Sequence, residues 1–228
     1  MVGCSSGQTQ VYGAAKRAFA SEGAPAAPLD ARYRYLRANI DGRVAFLALG
    51  YLDQLPEGAT EVWYSGSGEV FRLREGRIVG TTGLRGVRNW QAVRYSALPA
   101  WAVPPSSTRP DRPSEITRFT RERDLMPGYR MAVRDDIVQT RIAAPERTQA
   151  LQVQGAGLQW FEERSSTVPA DEALPPSRYA VTVANGRAEV LYSEQCLAAN
   201  FCLSLERWVP HAAAAAPLPT AAAVDKDS

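Results

Sequence analysis

Arg178-Tyr179-Ala180-Val181-Thr182-Val183-Ala184-Asn185-Gly186-Arg187-Ala188-Glu189-Val190-Leu191-Tyr192-Ser193-Glu194-Gln195 is the stretch that decides the fold class of this chain. Two runs of strand-forming residues flank Asn185-Gly186. A two-residue type I′ turn needs positive φ at both central positions, and Asn-Gly tolerates that better than other pairs. The segment therefore reads as a β-hairpin with arms at 178–184 and 188–195.

Working outward, the same texture repeats. A strand is expected at 201–209, and others at 157–163, 129–142 and 115–124 on the N-terminal side. Val62-Trp63-Tyr64, Val70-Phe71-Arg72-Leu73 and Ile78-Val79 are short strands separated by Gly66-Ser67-Gly68 and Glu75-Gly76, which read as hairpin punctuation. Residues 44–49 form a nearly continuous apolar run, as in a strand covered on both faces. Tyr33, Tyr35 and Ile40 open the β region, with alternation slipping near Leu36. Many short strands spaced by turns predict a mainly β fold, an antiparallel sandwich or partly closed barrel. The expected organisation is a tether at 1–10, a short helix and linker at 11–29, and a β-rich domain at 30–210. A Pro-rich linker is expected within it near 99–113, and a disordered Ala/Pro tail at 211–228. Val11, Ala15 and Phe19 would share one face of the short helix.

Composition excludes several functions. Basic and acidic residues number 26 and 24, a formal net charge of +2, too weak a field to argue for nucleic acid. Lys16 and Lys226 are the only lysines; every other basic residue is arginine. No apolar run is long enough for a transmembrane helix. Triad chemistry needs a histidine positioned to cycle a proton, and the single one, His211, sits in the Ala/Pro tail. The same scarcity leaves no metal-ligand set and implies no cofactor. Carboxylates at Asp124, Asp135-Asp136 and Glu162-Glu163 could in principle serve glycoside hydrolysis. Neighbours on a strand point to opposite faces, however, so neither doublet is itself a catalytic pair, and a solvated strand face is the plainer reading.

The cysteines point to the cell envelope. Met1-Val2-Gly3-Cys4, followed by Ser5-Ser6, carries an apolar residue, a small residue and then a thiol on a polar segment. This is the lipidation signature of a bacterial lipoprotein, with Cys4 as acceptor; acyl chains add about 0.8 kcal/mol of membrane affinity per buried CH₂. Neither a basic n-region nor an apolar h-region precedes Cys4. Cys196 and Cys202 remain as an even pair, expected to form a disulfide across a hairpin turning at Ala198-Ala199-Asn200. Two buried free thiols are the alternative.

Five tryptophans offer flat faces that stack on sugars, and arginines pair with uronate carboxylates. Trp63, Arg77, Thr82 and Trp160 are the candidates for a sugar or partner contact. The competing reading fills a β core with the tryptophans, pairs Arg77 with Glu75 or Glu69, and places Thr82 in a strand simply because threonine suits strands. Alternation does not decide whether Trp63 or the Val62/Tyr64 pair faces inward.

Several pieces taken together resemble a known family. Asp41-Gly42-Arg43-Val44-Ala45-Phe46-Leu47-Ala48-Leu49-Gly50, Glu61-Val62-Trp63-Tyr64-Ser65 and Glu75-Gly76-Arg77-Ile78-Val79-Gly80-Thr81-Thr82-Gly83-Leu84 fall in the order of the group 4 capsule polysaccharide lipoproteins, the YjbF/GfcB-type exopolysaccharide lipoproteins. The hairpin centred on Asn185-Gly186 resembles that family's closing hairpin. Ala180, the cysteine pair and the Ala-rich tail depart from the pattern. The resemblance implies a non-catalytic outer-membrane lipoprotein on the periplasmic face. Its membrane partner would be reached through the lipid anchor, and its further partners would be polysaccharide and export machinery. The absence of an aspartate after Cys4 fits that destination. A periplasmic polysaccharide-binding or polysaccharide-modifying protein, and a half-barrel that shields lipid, are the competing expectations.

Overall fold

A computed structural model describes residues 29–101, 116–153, 157–184 and 186–210. The expected tether, short helix and tail, with Cys4 and His211, lie outside the described residues, as does most of the proline-rich segment.

Twelve antiparallel strands form one sheet: β1 (Tyr35–Ile40), β2 (Arg43–Leu55), β3 (Gly58–Ser65), β4 (Val70–Arg74), β5 (Arg77–Thr82), β6 (Asn89–Tyr95), β7 (Thr117–Met126), β8 (Arg130–Ile142), β9 (Gln159–Val168), β10 (Ser177–Ala184), β11 (Arg187–Ala198) and β12 (Phe201–Trp208). A single 3₁₀ turn, Ala170–Glu172, interrupts the strands among the described residues. Spatial order is β5-β4-β3-β2-β1-β12-β11-β10-β9-β8-β7-β6. Each strand thus pairs with its neighbours in sequence except β5 with β6, and β1 joins β12 with Tyr35 opposite Trp208. The sheet curls until β5 meets β6, giving a nearly closed up-and-down barrel. Of the two architectures expected from sequence, it is the barrel.

Closure follows from side chains that meet only if the sheet curls. One buried cluster takes Leu36, Leu47, Trp63, Phe71, Ile78, Trp90, Leu125, Val133, Leu197 and Leu205 from ten of the strands. A second closes one end with Phe161, Tyr179, Val181 and Val190 around Trp101, which follows β6. Strand β5 is buried from Arg77 to Thr81. Its Ile78 N–H donates to Gln195 Oε1 at 2.9 Å, and Gln195 Nε2 donates to the Gly76 carbonyl at 2.9 Å. A side chain on the opposite wall therefore serves backbone groups that strand pairing leaves over.

The outer face is covered in part. The β8–β9 connection crosses β9 to β12, packing Ala150, Val153 and Leu158 over Trp160, Ala180 and Tyr192. Fully buried Glu206 holds it, accepting backbone N–H bonds from Leu151, Gln152 and Val153 at 2.9, 2.6 and 2.9 Å. This explains the slipped alternation in β1. Leu36 and Ala38 face the barrel core, Tyr35 packs in an outer cluster with Ala48, and Arg37 lies beside Glu206 at 3.6 Å.

Candidate functional site

The barrel interior is filled, and much of its filling is ionic. Arg77 Nε donates to Glu163 Oε1 at 2.8 Å, linking β5 to β9, while its guanidinium lies 3.8 Å from the Trp101 ring centre. On β7, Arg121 and Arg123 both donate to Asp135 of β8 at 2.7 Å, and Thr167 Oγ1 donates to the same carboxylate at 2.8 Å. Burial alone would raise the Asp135 pKa; the two guanidinium charges and the donated bonds outweigh it and hold the carboxyl below its ordinary value. Arg207 donates to Glu61 at 2.7 Å and lies 5.1 Å from the Trp63 ring centre, while Trp63 Nε1 donates to the same Glu61. Burial pushes the Tyr179 hydroxyl pKa up, beside the Arg77–Glu163 pair. An interior packed with aliphatic and aromatic side chains and crossed by ion pairs is no open aliphatic lumen, which argues against the lipid-shielding expectation.

The sequence-derived candidates fall in different places. Trp63 is fully buried among core side chains, so both it and Val62 are covered, and the alternation had no single answer. Arg77 is also buried; its partner is Glu163, not Glu75 or Glu69, and it presents nothing to solvent. Trp160 sits on the outer face but beneath the β8–β9 connection. Thr82 alone is exposed, at the end of β5. These four are not brought together. Cys196 and Cys202 face each other across β11 and β12 and form the disulfide, with the turn at 199–200.

The carboxylate doublets split as strand geometry requires, but their environments differ from the expected solvated face. Asp135 and Glu163 point inward and are consumed by arginines. Asp136 pairs with exposed Arg134, and Glu162 binds Arg164 and Arg178 on the outside. Asp124 is held by Arg94 at 2.8 Å. Among the described residues, no group of three or more His, Cys, Asp or Glu side chains is arranged to hold a metal.

Sequence reasoning missed a concavity at the joint between β5 and β6. Where β5 meets β6 the sheet is not laced by strand pairing; Trp90 N–H donates instead to Thr81 Oγ1 at 3.0 Å. Beyond that link the seam opens into a cleft of about 580 Å³, in the size range of ligand sites. Thr60, Arg72 and Arg74 form one wall, Val79 lies below, and residues 91–98 form the other wall. Arg74 Nε donates to Thr60 Oγ1 at 3.2 Å, and its nearest carboxylate, Glu57, is 4.0 Å away. Among the described residues, Glu57 is the only acidic one lining the cleft.

No family model matches this chain, and no curated protein matches it. Among solved structures it is similar to the hypothetical lipoprotein YmcC from Escherichia coli (K12), at 16% identity and a TM-score of 0.53, covering 79% of this chain and 85% of that one. At that identity the likeness is one of fold: this chain shares the barrel architecture of a protein described as a lipoprotein.

Proposed function

We propose that this chain is a non-catalytic lipoprotein of the bacterial envelope that supports production or export of a capsule or exopolysaccharide. Acylated Cys4 anchors it to the outer membrane, and the barrel stands on the periplasmic side. The observation that carries the reading is the fold likeness to a lipoprotein over most of both chains. The Met1-Val2-Gly3-Cys4 signature and the resemblance of 41–84 to capsule lipoproteins point the same way. A passive role is favoured because the inward carboxylates are locked to arginines, and among the described residues the cleft is lined by one acidic side chain where glycoside hydrolysis uses two.

Two measurements test it. Labelled palmitate should enter the full-length precursor and be lost in Cys4→Ala. Deleting the gene should reduce surface polymer, with restoration by the native gene and not by Cys4→Ala. An intact polymer layer in the deletion strain refutes the polysaccharide role; an unacylated native protein refutes the anchor.

A further inference from the structure

Among the described residues, most arginines have a carboxylate partner. Arg77, Arg121, Arg123 and Arg207 each have a carboxylate oxygen within 2.8 Å. The cleft wall differs. Arg72 makes no hydrogen bond or ion pair among the described residues, and its stem lies against Gly80, 3.5 Å from where a Cβ would stand. Arg74, two positions on, has its side chain 8% exposed and meets Glu57 only at 4.0 Å, while Glu57 is 64% exposed. Across the cleft, Arg94 is already held by Asp124 at 2.8 Å. In a chain whose charges nearly cancel, this concavity holds a local cationic excess.

We propose that the cleft at the β5–β6 seam binds a carboxylate-bearing segment of an acidic polysaccharide, with Arg72 and Arg74 as its anion contacts; this rests on the polysaccharide reading above and names the ligand class. Positions two apart on a strand lie roughly 7 Å from each other on the same face. Two guanidinium groups carried from such positions into one cleft can engage carboxylates on one polymer, with the fork geometry that arginine favours. The rest of the lining suits sugar rather than a bare anion. Thr60, Gln91 and Ser96 offer hydroxyl and amide groups for sugar hydroxyls, and Leu55, Val79 and Val93 offer apolar surface for C–H faces. Strand β6 pairs with β7 alone, so no further strand of the sheet occupies the seam side of that wall.

The test uses the full chain with Cys4→Ser, titrated calorimetrically with oligogalacturonate, a neutral malto-oligosaccharide of equal length, and polyglutamate. Oligogalacturonate should bind, more weakly as salt rises, and the other two should not. Arg72→Gln should weaken binding by roughly tenfold or more, the loss of one charged hydrogen-bonding group. Arg134→Gln, on the outer face of β8, should leave it unchanged. Ala97→Trp, which fills the cleft mouth from an exposed position, should block binding even if Arg72→Gln lowers the melting temperature. Absence of oligogalacturonate binding, equal binding of polyglutamate, or binding indifferent to both cleft variants overturns the proposal. Polymer loss on gene deletion without oligogalacturonate binding refutes the cleft and leaves the broader function standing.

Discussion

Arg77 and Asp135 each carry a buried charge inside the barrel that only an opposite charge balances. A buried ion pair adds little over an apolar pair of the same shape, yet removing one partner strands the other charge in a medium that cannot solvate it. Arg77→Ala should therefore cost about 3–5 kcal/mol by urea unfolding, and Arg77→Met with Glu163→Leu distinctly less. Equal losses in the two proteins would mean that the cation–aromatic contact with Trp101, rather than charge pairing, dominates. Asp135 adds a pH signature. Its pKa is lower folded than unfolded, so its contribution is present above the ordinary carboxylate value, about 3.9, and is lost as pH falls through the folded value. The stability gap between the native protein and Asp135→Asn should accordingly be wide at pH 6 and shrink at pH 3, read from urea midpoints at each pH. A gap independent of pH would show that the loss is one of shape and not of charge.

At the scale of elements, legibility in the sequence followed the range of the forces involved. The hairpin around Asn185-Gly186 was readable because its turn chemistry is local, and β10 and β11 begin and end within a few residues of the expected arms. Strand β6 was not readable. A bulge between Trp90 and Ala92 shifts its inward set to Trp90, Val93 and Tyr95, which breaks period-two alternation. Arg77 drew attention in the sequence, but its partner lies 86 residues away, a distance no local pattern encodes. The cleft was illegible for the same reason, because its walls come from β3, β4 and β6 and meet only when the sheet closes. The turn at Gly76 shows how tightly that closure is made: φ is +75°, and a Cβ there would come within 2.5 Å of Val190. Gly76→Ala should thus destabilise by more than the roughly 1 kcal/mol of a conformational penalty alone, visible as a lowered urea midpoint. The β8–β9 connection is tied by side chains in place of strand pairing, with Glu206 taking three of its backbone N–H groups and Arg37, Tyr192 and Ser204 bonding Gln149. Glu206→Ala leaves three backbone donors without their acceptor, so trypsin should cut after Arg147 many times faster than in the native protein. An unchanged cleavage rate would mean that the Gln149 bonds and the apolar packing over Trp160 suffice to hold the connection.

For the whole molecule, the topology is a ring of sequential strands with one unlaced joint. The first and last strands pair directly, Tyr35 against Trp208, so the ends of the described barrel lie side by side. The joint at β5–β6 carries no ladder between strands and is bridged by the Thr81–Trp90 bond and the packing of Ile78, Val79, Trp90 and Val93. Cutting a ring where it is already unlaced sacrifices only the covalent link, and permutation is tolerated where termini adjoin and the cut is exposed. A permutant joining 210 to 29 by a short linker, with new ends between Arg85 and Gly86, should keep a cooperative melt and the native tryptophan fluorescence. The same join with new ends between Gln195 and Cys196 interrupts a strand laced on both sides and severs β11 beside the disulfide, so that protein should fail to fold. If both permutants fold equally well, the seam is no weaker than the rest of the wall, and a cleft held open there would have to be explained by its arginines repelling one another.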